Sequence, residues 1–189
     1  MEKFENKIEN INTAEIFSPS LEYKNTYIEA MKEFLAEGEN TGISEENLKE
    51  EDIKNLENNF EEFVNMLSKH EKGIDLQEGR VPSSTLWLIN NKEFIGRISI
   101  RHKLIENPVR EFGHIGYAIR PSKRRMGYGN VILKLGLEKA KDFGISKALI
   151  LCYDDNAGSI SLIEKNGGIF QDKIESDGKL ERRYWIDIK

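Results

Sequence analysis

The chain has 189 residues, of which 38% are hydrophobic and 32% are charged, and its formal net charge is −5. This length suits one domain with a full hydrophobic core. No apolar run reaches the ~20 residues that cross a bilayer, and the single cysteine excludes a disulfide framework and a cysteine-rich metal site. We therefore expect one cytoplasmic domain over residues 1–189, with no metal and no membrane contact.

The charges are divided unevenly along the chain. Residues 1–80 carry 20 acidic and 9 basic side chains, whereas residues 81–189 carry 13 acidic and 19 basic ones. The acidic part would repel nucleic acid, and the basic part favours an anionic ligand. Because nucleic-acid binding needs a basic face with interleaved aromatic side chains, it is not an expected function of this chain.

The N-terminal part of the chain, residues 20–72, shows the apolar spacing of helices. The elements expected there are a strand near 15–18, a helix capped by Ser20 and ended by Gly38, and a helical region from Ser44 to Gly73. Residues 74–84 contain turn-forming side chains and are expected to form a loop.

From Thr85 the spacing of apolar side chains changes to that of strands. The expected elements are a hairpin of strands 86–89 and 94–101, a strand 114–120, a helix 128–143, a strand 148–153, a helix 156–165 and a hairpin of strands 169–174 and 180–188. The order (β)ααβββαβαββ predicts an α/β fold with a mixed sheet.

A strand, a cationic turn and a helix follow one another within residues 113–129. Gly127 and Gly129 stand where the helix begins, and Arg124 and Arg125 precede them. A glycine-rich turn at a helix N-terminus presents backbone N–H groups to an anion. The segment therefore predicts a site for a phosphate group, with positive charge beside it.

The spacing excludes two common phosphate sites. A dinucleotide fingerprint needs a third glycine where Ile132 stands. A P-loop needs Lys-Ser/Thr directly after the glycine, whereas Asn130 and Val131 follow Gly129.

The pattern Arg124-x-x-Gly127-x-Gly129 resembles the motif Gln/Arg-x-x-Gly-x-Gly/Ala of the GNAT superfamily of acetyl-CoA-dependent N-acetyltransferases. A second element of that family, Asn-x-x-Ala/Ser followed by Lys-x-Gly-Gly, is similar to the segment 156–168. The resemblance implies a central splayed β-sheet flanked by helices, with a cofactor-binding core over residues 85–189. It also implies acetyl-CoA as the acyl-donor cosubstrate.

The resemblance further implies which residues contact coenzyme A. The glycines and the first helical turn would hold the pyrophosphate, the preceding strand would pair with the pantetheine arm, and the second motif would hold the arm or cap its own helix. The residues are Ala118, Ile119, Arg124, Arg125, Met126, Gly127, Tyr128, Gly129, Asn130, Asn156, Ser159 and Lys165.

Acetyl transfer to an amine needs a proton acceptor, polarisation of the thioester carbonyl and a proton for the leaving thiolate. A backbone N–H near Ala118 is the expected polarising group. His114 is the candidate base, because histidine titrates near neutral pH and strand alternation places it on the face of Ala118. His102 is a second candidate, and a hydrogen-bonded sheet histidine is the structural alternative for His114.

The acid that protonates the thiolate is less well defined. The family's usual tyrosine position falls on Ile163, which cannot donate a proton. Tyr153, Tyr184 and Ser161 are the candidate replacements, with water or unassisted departure as alternatives. Cys152 lies in an apolar run and is expected to be a core residue.

The expected function is acetyl-CoA-dependent N-acetyltransfer to a primary amine of a small-molecule or amino-acid-like acceptor, by direct attack in a ternary complex. A catalytically silent acyl-CoA-binding sensor is the alternative, and the isoleucine at the tyrosine position favours it. The resemblance also allows a homodimer.

Overall fold

A seven-stranded mixed sheet forms the centre of the molecule, with the strand order β1-β2-β3-β4-β5-β7-β6. The computed structural model describes residues 11–38, 48–104, 113–176 and 178–189. The strands are β1 (Glu15–Phe17), β2 (Ser83–Asn90), β3 (Glu93–Arg101), β4 (Ile115–Ile119), β5 (Lys147–Tyr153), β6 (Ile169–Ser176) and β7 (Lys179–Asp187). Neighbouring strands are antiparallel except β4 and β5, which run parallel. The predicted α/β fold is thereby confirmed.

Helices cover both faces of the sheet. They are α1 (Lys24–Glu37), α2 (Glu50–Asn58), α3 (Phe60–Glu71), α4 (Tyr128–Ala140) and α5 (Ala157–Lys165). One core cluster joins the sheet to α1–α3 through side chains such as Phe34, Ile53 and Phe60. The other joins it to α4 and α5 through Ile132 and Ile163. Both clusters exclude water from apolar surface, and this burial holds the three layers together.

The helical region before the sheet differs from the prediction in one respect. It contains two helices, α2 and α3, because the chain leaves helical geometry at Asn59, where φ is −122° and ψ is 34°. Ile53 before the bend and Phe60 after it both enter the same core cluster. The predicted helix start at Ser44 lies outside the described residues.

The predicted hairpins and the helices after residue 85 are confirmed, with shifts of a few residues at their ends. The strand predicted from His114 to Arg120 is shorter, because only Ile115–Ile119 keeps strand pairing. Asp177 and most of the loop predicted at residues 104–111 lie outside the described residues. Within the described ranges, none of the helices combines the length and apolar character needed to cross a membrane.

Candidate functional site

The sheet opens between its two parallel strands. β4 and β5 share a single register pair, Ile115 with Ile150, whereas β3 and β4 share five pairs and β5 and β7 share seven. The two halves of the sheet therefore diverge beyond Ile115 and Ile150. This gap is the splay that the sequence resemblance implied, and it lies on the strand that leads to the glycine-rich turn.

The turn after β4 forms a cradle of backbone N–H groups. Arg125 and Gly127 have φ values of 60° and 93°, in the left-handed region. α4 then begins at Tyr128 without a side-chain cap. In the described part of the chain, the N–H groups of residues 125–127 bond to no other backbone group. Such unpaired N–H groups at a helix N-terminus fit a phosphate group.

Glycine also keeps space open at the start of α4. A Cβ atom on Gly129 would lie 3.1 Å from Cδ2 of Leu162 in α5, and one on Gly127 would lie 3.1 Å from Cδ1 of Ile11. The absence of side chains at both positions lets α5 and a ligand approach the backbone closely. The cradle therefore fits the pyrophosphate of coenzyme A.

The two sequence motifs lie side by side. Nδ2 of Asn166, just after α5, donates to Oδ1 of Asn130 in α4 at 3.0 Å. At the other end of α5, Asn156 caps the helix by accepting the Ser159 N–H at 2.9 Å, as predicted. α5 therefore runs from the gap beside β5 to the cradle, and its exposed Lys165 lies at the cradle end.

Arg124 does not present a free charge to the cradle. Its Nη2 atom lies 2.8 Å from Oε2 of Glu37 in α1, and Nη1 bonds to the other oxygen of the same carboxylate. Its Nε donates to the Ile119 carbonyl at 3.0 Å. Arg124 thus fastens the turn to α1 and to the end of β4, and its charge, predicted to be free beside the cradle, is paired with Glu37.

A second ion-pair cluster, which we call the loop anchor, holds the start of the same turn. It consists of Glu33, Glu93, Arg120, Ser122 and Lys123. Nε of Arg120 lies 2.8 Å from Glu33, and Nη1 lies 3.1 Å from Glu93. Glu33 also accepts the N–H and the hydroxyl of Ser122, both at 3.0 Å, and Glu93 accepts Lys123 at 2.6 Å. Charge-assisted hydrogen bonds of this kind are stronger than hydrogen bonds between neutral groups.

The loop anchor was not predicted from the sequence. Its signal was the spacing of Glu29, Glu33 and Glu37, which stand one helical turn apart on α1. All three carboxylates pair with arginines of the turn, since Glu29 lies 3.8 Å from Arg120. The spacing alone is also that of an ordinary solvated helix face.

The loop anchor predicts a pH-dependent contribution to stability from Glu33. Burial raises the pKa of this carboxyl, but hydrogen bonds from Ser122 and Arg120 outweigh burial and hold it below its usual value of 4.5. Its stabilising effect is therefore complete above the unfolded pKa and is lost as the pH falls through the folded one. We expect Glu33→Gln to lower the free energy of unfolding by about 1–2 kcal/mol at neutral pH.

Urea denaturation at about pH 7 and about pH 3 measures this difference, which should be smaller at the lower pH because less of the native carboxyl is ionised there. Glu57→Gln is the comparison for an exposed carboxylate: Lys32 also lowers the pKa of Glu57, but this ion pair is exposed to solvent, so its loss should be smaller than that of Glu33. An equal loss at both pH values would contradict the assigned role of the ionised Glu33.

His114 lies where β4 and β5 are still joined. Its Nδ1 accepts the Leu149 N–H at 3.0 Å, and the backbone N–H of His114 donates to the Leu149 carbonyl at 2.7 Å. Because Nδ1 is an acceptor, the neutral ring carries its proton on Nε2. Burial lowers the pKa of His114. The geometry favours the structural alternative for this histidine, and its role as a base stays a prediction.

His102, the second candidate base, is also engaged. Its Nε2 lies 2.9 Å from the Ser84 hydroxyl, which donates to Glu71 at 2.9 Å. Its ring stacks on Phe143 with 4.0 Å between centroids. Burial lowers its pKa, and Glu71 acts in the opposite direction.

The candidate acids lie in different surroundings. The Tyr184 hydroxyl is buried, donates to Glu164 at 3.0 Å and lies 3.5 Å from Nη1 of Arg182. Tyr153, at the end of β5, is half-buried and has the Lys179 ammonium 5.1 Å from its ring centroid. Ile163 is fully buried in the core. Tyr184 thus already has hydrogen-bond partners inside the protein.

One residue of the gap was missed by the sequence analysis. Tyr117 lies in β4, two residues beyond the last pair between β4 and β5. Its hydroxyl oxygen is buried and has no hydrogen-bond partner among the described residues. Alternation along the strand showed only that its side chain faces away from that of Ala118.

Comparisons with known proteins agree with this geometry. The family model of the acetyltransferase (GNAT) domain matches residues 46–169. The fold is similar to that of a GNAT-family acetyltransferase from Streptococcus pneumoniae, with 14% identity and a TM-score of 0.61, over 93% of this chain and 99% of the other. No curated protein sequence matches the chain.

Two further solved structures share the fold. An acetyltransferase from Salmonella typhimurium that modifies the N-terminal serine of ribosomal protein L7/L12 has 16% identity and a TM-score of 0.62, over 94% of this chain and 96% of the other. The microcin C7 self-immunity acetyltransferase MccE, in complex with acetyl-CoA and AMP, has 14% identity and a TM-score of 0.66, over 93% of both chains.

Proposed function

Because this chain belongs to the GNAT family of acetyltransferases, we propose that it transfers the acetyl group of acetyl-CoA to the primary amine of a small, amino-acid-like acceptor. The amine attacks directly in a ternary complex. The observation that supports this best is the gap between β4 and β5, which leads along β4 to the N–H cradle at the start of α4.

In this proposal the chain's own backbone holds the cosubstrate. The N–H groups of residues 125–129 bind the pyrophosphate, and the part of β4 around Ala118 and Ile119 pairs with the pantetheine arm. Acetyl-CoA supplies the acyl group as a thioester, and the Ala118 region polarises its carbonyl through a backbone N–H. Asn156 and Ser159 border the same gap at the first turn of α5.

The acceptor is proposed from charge. Residues 1–80 carry 20 acidic and 9 basic side chains, and the resemblance places the acceptor beside the N-terminal helices. A negative potential there favours a cationic amine. The similar Salmonella typhimurium enzyme modifies a protein N-terminus, so a peptide with an N-terminal serine is the second acceptor to test.

The proposed function is tested by measuring release of free thiol from acetyl-CoA with purified full-length chain. The panel contains polyamines, free amino acids and a peptide with an N-terminal serine. Faster release with a small amine, with the acetylated amine found by mass spectrometry, supports the proposal. Faster release with the peptide alone would show that the acceptor is a protein N-terminus and not a small amine. Acetyl-CoA binding without acceleration by any amine would favour the silent acyl-CoA-binding module.

The same assay tests His114. Since its Nδ1 already accepts the Leu149 N–H, we expect His114→Ala to keep the pH profile of kcat/KM. The free energy of unfolding should fall by about 1–3 kcal/mol, because the buried Leu149 N–H loses its partner. Loss or displacement of the acidic limb of the profile would instead identify His114 as the base.

A further inference from the structure

The Tyr117 hydroxyl is an unexplained buried polar group. Its oxygen is shielded from solvent and meets the distance and angle of a hydrogen bond with no described group, although the Ser159 hydroxyl lies close enough to lower its pKa. An unpaired buried hydroxyl destabilises a protein, and native structures contain few of them. Two other such atoms among the described residues, on Trp87 and Ser176, belong to β2 and β6, which do not border the gap. The Tyr117 hydroxyl therefore points to a partner that binds in the gap.

The surroundings of this hydroxyl are those of the proposed thioester site. Tyr117 follows Ile115 by two residues, as Cys152 follows Ile150, so the two side chains would face each other if the strands stayed paired. Burial raises the pKa of Tyr117 to about 12, the nearby Ser159 hydroxyl lowers it, and Cys152 adds a smaller upward effect. The hydroxyl thus lies between β4, β5 and the first turn of α5.

Three groups near the gap are excluded or already used. Ile163, at the family's usual tyrosine position, is buried and has no polar atom. The Tyr184 hydroxyl donates to Glu164. Burial raises the pKa of Cys152 to about 11, so its thiol is neutral at physiological pH. Tyr117 keeps its proton over the same range, and no described group accepts it with the geometry of a hydrogen bond.

Resting on the proposed function, we propose that the Tyr117 hydroxyl donates a hydrogen bond to the sulfur atom of the acyl donor as this sulfur leaves. The amine lone pair forms the new C–N bond, and the electron pair of the C–S bond moves to sulfur. The amine releases its proton to solvent. Tyr117 stabilises the charge that develops on sulfur until the thiolate takes up a proton.

The test is the pH dependence of coenzyme A binding to Tyr117→Phe, measured by calorimetry on the full chain without an acceptor. Coenzyme A is compared with its analogue that lacks the sulfur atom, between about pH 6.5 and about pH 9.5, a range in which free thiols ionise. In the parent protein, preference for coenzyme A should rise with pH as the thiolate forms. In Tyr117→Phe the affinity ratio of coenzyme A to the analogue at high pH should be about tenfold lower than in the parent. In the thiol-release assay with an acceptor, the kcat of this variant should be about 100-fold lower.

Thermal unfolding without ligand separates this role from a structural one. Removing a hydroxyl that has no partner should leave the Tm unchanged or raise it, whereas loss of a structural hydrogen bond would lower it. Tyr23→Phe is the matched control, because its ring stands at the far end of the sheet beside Phe17. It should keep the full pH-dependent preference for coenzyme A.

The outcomes distinguish the two proposals. If the parent chain does not bind coenzyme A, the proposed function fails. If the parent binds it and Tyr117→Phe keeps the pH-dependent preference, or lowers the Tm, only the role of Tyr117 is overturned. Should Tyr117→Phe fail to fold, 3-fluorotyrosine at the same position, which donates more strongly, must increase the preference for the thiolate.

Discussion

Replacing Arg120 by methionine is expected to lower the free energy of unfolding by about 3 kcal/mol and to weaken coenzyme A binding. The Arg120 side chain is only 9% exposed and pairs with Glu33 and Glu93, which are 28% and 38% exposed. Removing one partner from a buried ion pair leaves the other charges uncompensated, and this costs more than the pair itself contributes. The partial exposure of both carboxylates places the expected loss at the lower end of the usual range.

Urea denaturation and calorimetry with coenzyme A measure both effects of Arg120→Met. For stability alone the matched control is Arg124→Met, since Arg124 and Glu37 are each more than one-third exposed and their ion pair should contribute less than about 1 kcal/mol. Adding Glu33→Gln and Glu93→Gln to Arg120→Met should recover part of the stability by removing the unpaired charges. No recovery in this triple variant would contradict the electrostatic explanation and would indicate lost packing instead.

Replacing Gly127 by alanine is expected to weaken coenzyme A binding with little loss of stability. Gly127 has a φ of 93°, and an L-residue in this region costs about 1–2 kcal/mol, which corresponds to roughly tenfold in affinity. A short turn can relax to negative φ without unfolding the domain, so ligand binding must restore the strained conformation. Contact of the new Cβ with Ile11 adds to this effect.

Gly144→Ala is the control for Gly127→Ala. Gly144 also has a positive φ, of 73°, and nothing lies within 4 Å of the Cβ that alanine would add. It ends the 3₁₀ turn after α4, remote from the cradle. Calorimetry should therefore show parental coenzyme A affinity for Gly144→Ala and reduced affinity for Gly127→Ala. Equal affinities in the two variants would show that the cradle does not bind the cosubstrate.

Much of the fold could be predicted because its signals are local in sequence. The change from helical to strand spacing at Thr85 and the glycines around α4 and α5 place most elements of the core within a few residues. The break at Asn59 was missed, since the apolar side chains on either side of it continue one helical pattern. Ile53 and Phe60, on either side of the break, still enter one core cluster, so the apolar spacing carries no signal of the break.

The site was predictable to the extent that it consists of backbone. The two glycines at the start of α4 were a local signal for the cradle, because Gly127 supplies the positive φ of the turn and Gly129 keeps space open beside Leu162. Side-chain roles were harder to predict. Spacing suggested His114 as a base and Arg124 as a free charge, whereas the structure shows a sheet hydrogen bond to Leu149 and an ion pair with Glu37.

The sequence by itself determined the α/β order, the anion cradle and the likeness to a family that uses acetyl-CoA. The tertiary structure alone decided how the turn is held and which hydroxyl is left without a partner in the gap. Glu33 and Arg120 stand 87 positions apart, and Tyr117 of β4 lies near Ser159 of α5 although the two are distant in the chain. Backbone conformation depends on neighbours in the chain, whereas the partner of a charge or a hydroxyl depends on which distant elements pack beside it.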